Sequence, residues 1–235
     1  MTDFHPACCS ALQRSALLTP LPYASCLVST EFDPALLQPS DFANTGIGAI
    51  SGVSKRQTEY LAGRLCARSA IAAVSGQALL PTTTAESRAP KWPEGICGSI
   101  THGDGLAAAI AAPSQHWQSL GIDIERILPA ARAQRLQQQL LTPAELASLE
   151  ALSPEQKSLR ITLSFSLKES LFKALNPLTG RYFYFHDAEI IDWSEDRAQL
   201  RLLTDLSTQW PAQSLLEGQF VRLNERVLSL IAIAA

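Results

Sequence analysis

Gly121-Ile122-Asp123-Ile124-Glu125 lies near the midpoint of the 235-residue chain, and its reading decides the fold. Apolar and acidic residues alternate with a period of two, the pattern of a β-strand with one buried face. Residues two apart in a strand point to the same side. Asp123 and Glu125 therefore project together, while Ile122 and Ile124 enter a core. Two carboxylates on one rigid face repel each other unless a cation sits between them. A hard divalent cation such as Mg²⁺, which takes oxygen ligands, meets that need; a strand edge with two solvated acids meets it equally well. If repulsion dominates, Asp123→Ala leaves folding nearly intact in the metal-free protein.

The flanking chain supplies the layers. Residues 1–22 lack a clear period and read as an irregular lead-in, and 23–30 read as a strand. The stretch 31–52 is broken by Pro34, Pro39, Gly46, Gly48 and Gly52 and reads as loop with one short helix. Residues 55–75 carry an apolar stripe at helical spacing, with Ser54 as N-cap, Gly76 at the C-terminus and Arg56, Arg64 and Arg68 on the polar side. Gly63 inside that helix implies a close contact. Strands at 97–101 and 106–112 form a hairpin with His102-Gly103-Asp104-Gly105 at its bend. Downstream come a helix over 130–141, capping boxes at Thr142 and Ser153, and a helix running to Asn176 where Pro177 ends it. Strands at 181–185, 188–193, 199–203, 219–223 and 227–234 complete the chain. Each half thus shows a strand, a helical section and a hairpin, which predicts an α+β protein of two similar subdomains.

Bulk numbers bound the function. The chain is 46% hydrophobic and 17% charged with a net charge of −3, too little basic excess for a general nucleic-acid binder. A basic pocket for a phosphorylated small molecule stays open. Five cysteines without CxxC spacing argue against a disulfide framework or a zinc site and suit idle thiols in a reducing compartment. No basic and apolar leader and no run long enough to span a bilayer is visible, so a soluble, cytoplasmic protein is expected.

Two further clusters bear chemistry. On a helix, Glu169 and Lys173 of Lys168-Glu169-Ser-Leu-Phe-Lys173 share a face one turn apart. They form either an ordinary surface pair or a third carboxylate and a phosphate-gripping cation beside Asp123 and Glu125. His102 sits among glycines that let a ligand approach the backbone. Thr101, and Arg88 and Lys91 in a Pro-stiffened loop, can add anion contacts.

Taken together, three segments resemble the 4′-phosphopantetheinyl transferase family, most of all its longer surfactin- and enterobactin-type members. They are Ser87-Arg-Ala-Pro90 to Gly98-Ser-Ile-Thr-His102, then Gly121-Ile-Asp-Ile-Glu125, then Phe165-Ser-Leu-Lys-Glu-Ser-Leu-Phe-Lys173. The resemblance implies a pseudo-twofold fold like an intramolecular dimer. Residues 1–118 would supply CoA phosphate contacts and residues 119–235 the metal-binding carboxylates, with CoA lying across the halves. It implies transfer of the phosphopantetheine arm of coenzyme A to a serine of an apo acyl, aryl or peptidyl carrier protein, releasing 3′,5′-ADP. The carriers would serve siderophore, peptide-synthetase, polyketide or fatty-acid synthesis. By position, Asp123, Glu125 and Glu169 would hold Mg²⁺, with Mn²⁺ as an alternative. Glu169 would take the serine proton and Lys173 would contact the pyrophosphate. Thr101, His102 and Lys168 would bind CoA, with Arg88 at the 3′-phosphate. Many relatives place a nucleotide-contacting arginine where this chain has Glu59, so Arg56 or Arg64 would substitute. A monomer is expected, with no nucleic-acid partner and no membrane span. A metal-dependent nuclease or phosphodiesterase and a carrier-protein or nucleotide-binding module that has lost turnover are the alternatives.

Overall fold

The structure, a computed structural model, describes residues 4–14, 17–83 and 89–235. Ser87 and Arg88 lie outside the described residues. Backbone contacts divide the chain into two units, Met1–Gln118 with Ala235, and Ser119–Ala234.

The first unit is a long helix on a four-stranded antiparallel sheet. Its strands are β1 (Gln13–Arg14), β2 (Cys26–Glu31), β5 (Ile96–Gly103) and β6 (Leu106–Pro113), in the order β1-β2-β6-β5. The lead-in therefore contributes a strand; two residues are too short a run to show alternation. A two-stranded ribbon, β3 (Thr82–Thr83) with β4 (Pro90–Lys91), and a short helix α1 (Asp41–Thr45) complete the unit. Helix α2 (Ser54–Ser75) packs Leu61, Leu65, Cys66 and Ile71 against Val28 of β2 and Ala107, Ala109 and Ala111 of β6. Alanines on the strand let the helix axis come close. Gly63 is part of the same fit: a Cβ there would lie 2.8 Å from Ile100 Cγ2, so the close contact is to a strand.

Several details differ from the sequence reading. Ser54 starts α2 but does not cap it; the N-cap is Val53, with no side-chain cap bond, whereas Gly76 closes the helix at φ 74° as expected. Arg64 and Arg68 are drawn inward instead of facing solvent. Arg64 is buried and donates to the Pro81 carbonyl at 2.8 Å, and Arg68 donates to the Thr45 carbonyl at 2.6 Å. The hairpin bend is Asp104-Gly105, both at positive φ, and His102 pairs with Ala107 on the strand itself.

In the second unit the sheet order is β7-β11-β10-β9-β8. These are β7 (Trp117–Arg126, within this unit from Ser119), β8 (Ala188–Trp193), β9 (Arg197–Leu202), β10 (Leu215–Leu223) and β11 (Arg226–Ala234). The helices are α3 (Ala130–Leu140), α4 (Pro143–Ser148) and α5 (Pro154–Thr179). Both expected capping boxes are formed, Thr142 with Glu145 and Ser153 with Gln156. Helix α5 continues past Pro177 to Thr179 and ends at Gly180, φ 65°. Proline so near the C-terminus removes one hydrogen bond from a turn that is already losing partners. Residues 181–185, expected as a strand, pair with no strand among the described residues. Tyr182 and Phe183 instead gather around Phe172, with ring centroids 5.6 and 5.3 Å away. A single 3-10 turn, Phe185–Asp187, then leads into β8.

The core of this unit places Leu167, Leu171, Ala174 and Leu175 of α5 against Leu200, Leu216 and Ile231 of the sheet. Each such leucine contributes about 1.5–3 kcal/mol by burial. Ser166 and Ser170 face β11 and share Ser229 Oγ at 2.7 and 2.8 Å, so the one polar seam in the contact is hydrogen-bonded. No helix of the described residues is long and apolar enough to cross a membrane. All five cysteines are unlinked, and burial pushes the Cys66 thiol up to about 12 and Cys97 to about 11, which keeps both inert.

Candidate active site

Strand β7 and helix α5 build the site. Period two sets Gly121, Asp123 and Glu125 on the face that meets α5. At Gly121 the contact is backbone to backbone: a Cβ there would stand 1.9 Å from the Ser170 carbonyl oxygen and 2.7 Å from the Ala174 nitrogen. Only glycine permits that approach. Because the helix lies this close, Lys173 reaches back over the strand. Its Nζ donates to Asp123 Oδ1 at 2.7 Å and to the Ile122 carbonyl at 3.0 Å. Ser166 Oγ donates to the Asp123 carbonyl at 3.2 Å. The two acids thus point at the helix carrying Glu169 and Lys173, and Ile122 and Ile124 are buried on the opposite side of the strand.

Electrostatics tie the four residues together. Burial, reinforced by Asp123 and Glu169, pushes the Glu125 carboxyl up to about 7, against the pull of Lys173 and Arg132. Burial, then the charge of Asp123, pushes Glu169 up as well, opposed by Lys173. Three acids share one lysine, and a further cation would relieve them. All donors are carboxylate oxygens, which suits a hard divalent ion. Among the described residues, however, no group of three or more Asp, Glu, His or Cys side chains could hold a metal by itself. Lys173 already occupies Asp123. Mg²⁺ commonly binds through one or two carboxylates with substrate phosphates and water completing the shell, and this donor set fits that mode.

Asp123 is therefore ion-paired as well as repelled, which corrects the expectation that its removal only relieves strain. Asp123→Ala should lower stability by about 1 kcal/mol, since Lys173 is partly exposed and can rehydrate. Thermal melts of the metal-free protein check this.

The raised carboxyl of Glu125 has a definite pH signature. Folded Glu125 keeps its proton up to about 7, whereas an ordinary glutamate releases it near 4.5. Between those values the folded state binds more protons, so stability falls as pH rises. Glu169 acts in the same direction. Chelator-treated protein should lose unfolding free energy across this window in urea titrations, and Glu125→Gln should flatten the loss. An equal slope in the variant would refute this assignment.

The remaining expected residues fall in three places. Thr101 is buried on β5, while His102 is half-exposed beside it, with Nδ1 3.7 Å from Glu59 Oε2. Glu59 is also 3.9 Å from Lys55 Nζ. Arg56 is exposed on α2, whereas Arg64 is held by Pro81 with its guanidinium 5.0 Å from the Tyr60 ring centre. The ammonium of Lys168 is spent inside the protein. It is 3% exposed, and all three ammonium hydrogens go to protein acceptors: Glu145 Oε2, the Leu140 carbonyl and the Phe185 carbonyl, at 2.7, 2.9 and 2.8 Å. Its expected CoA contact is thus corrected to a buried ion pair, because an ammonium has only three donors.

Sequence reasoning missed two features. One is a cavity of about 240 Å³ lined by Lys168, Glu169, Phe172, Ala188 and the aromatic residues 182–185. The Phe-Lys-Ala…Tyr-Phe-Tyr-Phe density of aromatics was the available signal. The other is Glu145, legible only as a capping-box residue.

Comparison with known proteins gives the family. Residues 49–112 match the model of the 4′-phosphopantetheinyl transferase N-terminal domain, and residues 119–230 match that of the 4′-phosphopantetheinyl transferase superfamily. The chain belongs to the 4′-phosphopantetheinyl transferase superfamily, and its α+β fold is that of a transferase of this type. It is similar to enterobactin synthase component D of Escherichia coli, at 37% identity over 76% of this chain and 84% of that one. It is 35% identical to the 4′-phosphopantetheinyl transferase Npt of Nocardia iowensis, over 61% of this chain and 63% of that one. The 4′-phosphopantetheinyl transferase PptT of Mycobacterium tuberculosis is 33% identical, over 77% and 80%.

Proposed function

We propose that the protein transfers the 4′-phosphopantetheine group of coenzyme A to a serine of an apo carrier protein, with Mg²⁺, releasing 3′,5′-ADP. The observation that carries the reading is the set of three carboxylates and one lysine where β7 meets α5, beside an aromatic cavity. In the reaction the serine oxygen attacks the phosphorus attached to pantetheine. The bond from that phosphorus to the bridging oxygen breaks, and 3′,5′-ADP leaves with the electron pair.

Asp123, Glu125 and Glu169 would hold the Mg²⁺ together with substrate phosphates and water, since the side chains do not form a complete metal site by themselves. When bound, the ion neutralises charge on the pyrophosphate and on the departing phosphate. Glu169 takes the serine proton; its upward shift brings it nearer the operating pH, where a base works best. Lys173 moves its ammonium from Asp123 toward the phosphates and supplies a compact positive charge there. The cavity beside Glu169 lodges the apolar part of the pantetheine arm, orienting the reacting phosphorus at the carboxylate. His102 and Thr101 bind CoA phosphates, and Arg88 is assigned to the 3′-phosphate. Of the two candidate arginines Arg56 is assigned the nucleotide contact, because its side chain is exposed whereas buried Arg64 is committed to Pro81.

The test is mass spectrometry of a panel of apo carrier proteins incubated with CoA and Mg²⁺. A gain of one phosphopantetheine on the carrier serine is expected. No gain on any carrier of the siderophore, polyketide, peptide-synthetase or fatty-acid types would overturn the reading.

A further inference from the structure

Lys168 precedes the proposed base, yet it points into the protein and is fully engaged there. Its acceptors come from three other segments: Glu145 of α4, the Leu140 carbonyl at the end of α3, and the Phe185 carbonyl in the cavity wall. Glu145 is equally committed. Its Oε1 accepts from the Ile190 nitrogen of β8 at 2.9 Å, and its Oε2 also accepts from the Thr142 nitrogen at 2.7 Å. A second pair continues the network. Arg201 donates to Glu189 Oε1, and Thr142 Oγ1 donates to Glu189 Oε2 at 3.4 Å. One buried point thus joins α5 to the chain from Phe185 to Ile190, which forms a side of the cavity next to Glu169.

Stability alone gives little reason for such a point. A buried ion pair costs so much desolvation that well-packed apolar residues often replace it without loss. What apolar contacts cannot supply is direction. Three convergent donors on one ammonium set the height of the Phe185 peptide above the helix. They also fix the rotation of α5 about its axis, and consecutive helical residues lie about 100° apart around that axis. Anchoring Lys168 inward therefore aims Glu169 along the cavity wall.

We propose that Lys168 and Glu145 are positioning residues for the transfer, forming a strut that holds the Phe185–Ile190 wall against α5 so that the cavity and the Glu169 carboxylate stay in register. This rests on the proposed function, and it adds two residues whose charged groups are spent on protein partners, with Lys168 also bordering the cavity. The strut governs the part of CoA that enters the cavity and the aim of Glu169. It bears on the part of the ligand that 3′,5′-ADP shares with CoA only through the metal, so 3′,5′-ADP binding is read without Mg²⁺.

The experiment compares wild type, Lys168→Met and Glu145→Gln. Methionine keeps the apolar stem and loses the donors; glutamine keeps shape and acceptors and loses the charge. Transfer kinetics for CoA and a carrier are measured together with thermal melts and 3′,5′-ADP affinity. Wild-type protein that transfers nothing refutes the function itself, not the strut. With active wild type, folded variants should lose about tenfold or more in kcat/KM for CoA, the order a small misplacement costs. Their 3′,5′-ADP affinity should stay within about twofold, a range below the ~1.4 kcal/mol that marks a tenfold change. A folded variant with wild-type kcat/KM, or one whose 3′,5′-ADP affinity falls in parallel, overturns the strut. A readout on wild type needs no variant. CoA, and not 3′,5′-ADP, should slow hydrogen exchange in the peptide covering residues 183–190. Equal protection by both ligands overturns the proposal even if neither variant folds.

Discussion

Gly121→Ala should unfold the second unit or leave it barely stable. The added methyl would sit 1.9 Å from the Ser170 carbonyl oxygen and 2.7 Å from the Ala174 nitrogen, and both are backbone atoms in the middle of α5. A flexible side chain could swing away; a helix interior cannot. Overpacking a core costs about 1–3 kcal/mol where side chains can adjust, and more where they cannot. With backbone on both sides the expected loss is at least about 3 kcal/mol, a large part of the ~5–15 kcal/mol of a typical domain. Urea titration followed by circular dichroism checks it, and a loss under about 1 kcal/mol would mean the helix can shift. If it shifts, the chemistry should fail for a second reason. Lys173 reaches Asp123 and the Ile122 carbonyl only because α5 lies on β7 at this glycine.

Glu169→Ala should abolish transfer while leaving the fold at least as stable. Loss of a general base alone costs roughly 10²–10⁴ in rate, and this carboxylate is also assigned to the metal, so a fall of about 10³ or more is expected. Stability should not follow. Burial and the charge of Asp123 both disfavour the ionised Glu169 side chain, and alanine is the best helix former at an internal position. The melting temperature of the metal-free variant should match or exceed wild type while carrier modification disappears. Retained transfer within tenfold would reassign the base.

These two substitutions separate what strand β7 does for folding from what it helps to do for chemistry, and the sequence showed them unequally. Alternation at 121–125 identified the strand and placed Asp123 and Glu125 on one face. The spacing of Glu169 and Lys173 set them one turn apart. Capping boxes at Thr142 and Ser153 and the glycine after Ser75 marked helix ends correctly, because these are local hydrogen-bonding devices. Local pattern failed where partners decide. The aromatic run at 181–185 has the residue types of a strand, yet the rings of Tyr182 and Phe183 found Phe172. Arg64 looks like a polar-face residue until the Pro81 carbonyl, 17 positions away, claims it.

By itself, then, the sequence determined the α+β class, the periodicity of β7 and α5, and the residue types able to meet a phosphate and a hard cation. Those follow from backbone geometry repeated every two or 3.6 residues. Only the tertiary structure decided that β7 and α5 touch at Gly121, that Lys173 neutralises Asp123, and that Lys168, one residue from Glu169, turns inward to Glu145. Such facts depend on which distant groups share a buried space, where an ammonium takes the acceptors it is given and a strand meets a helix only as closely as its smallest residue allows.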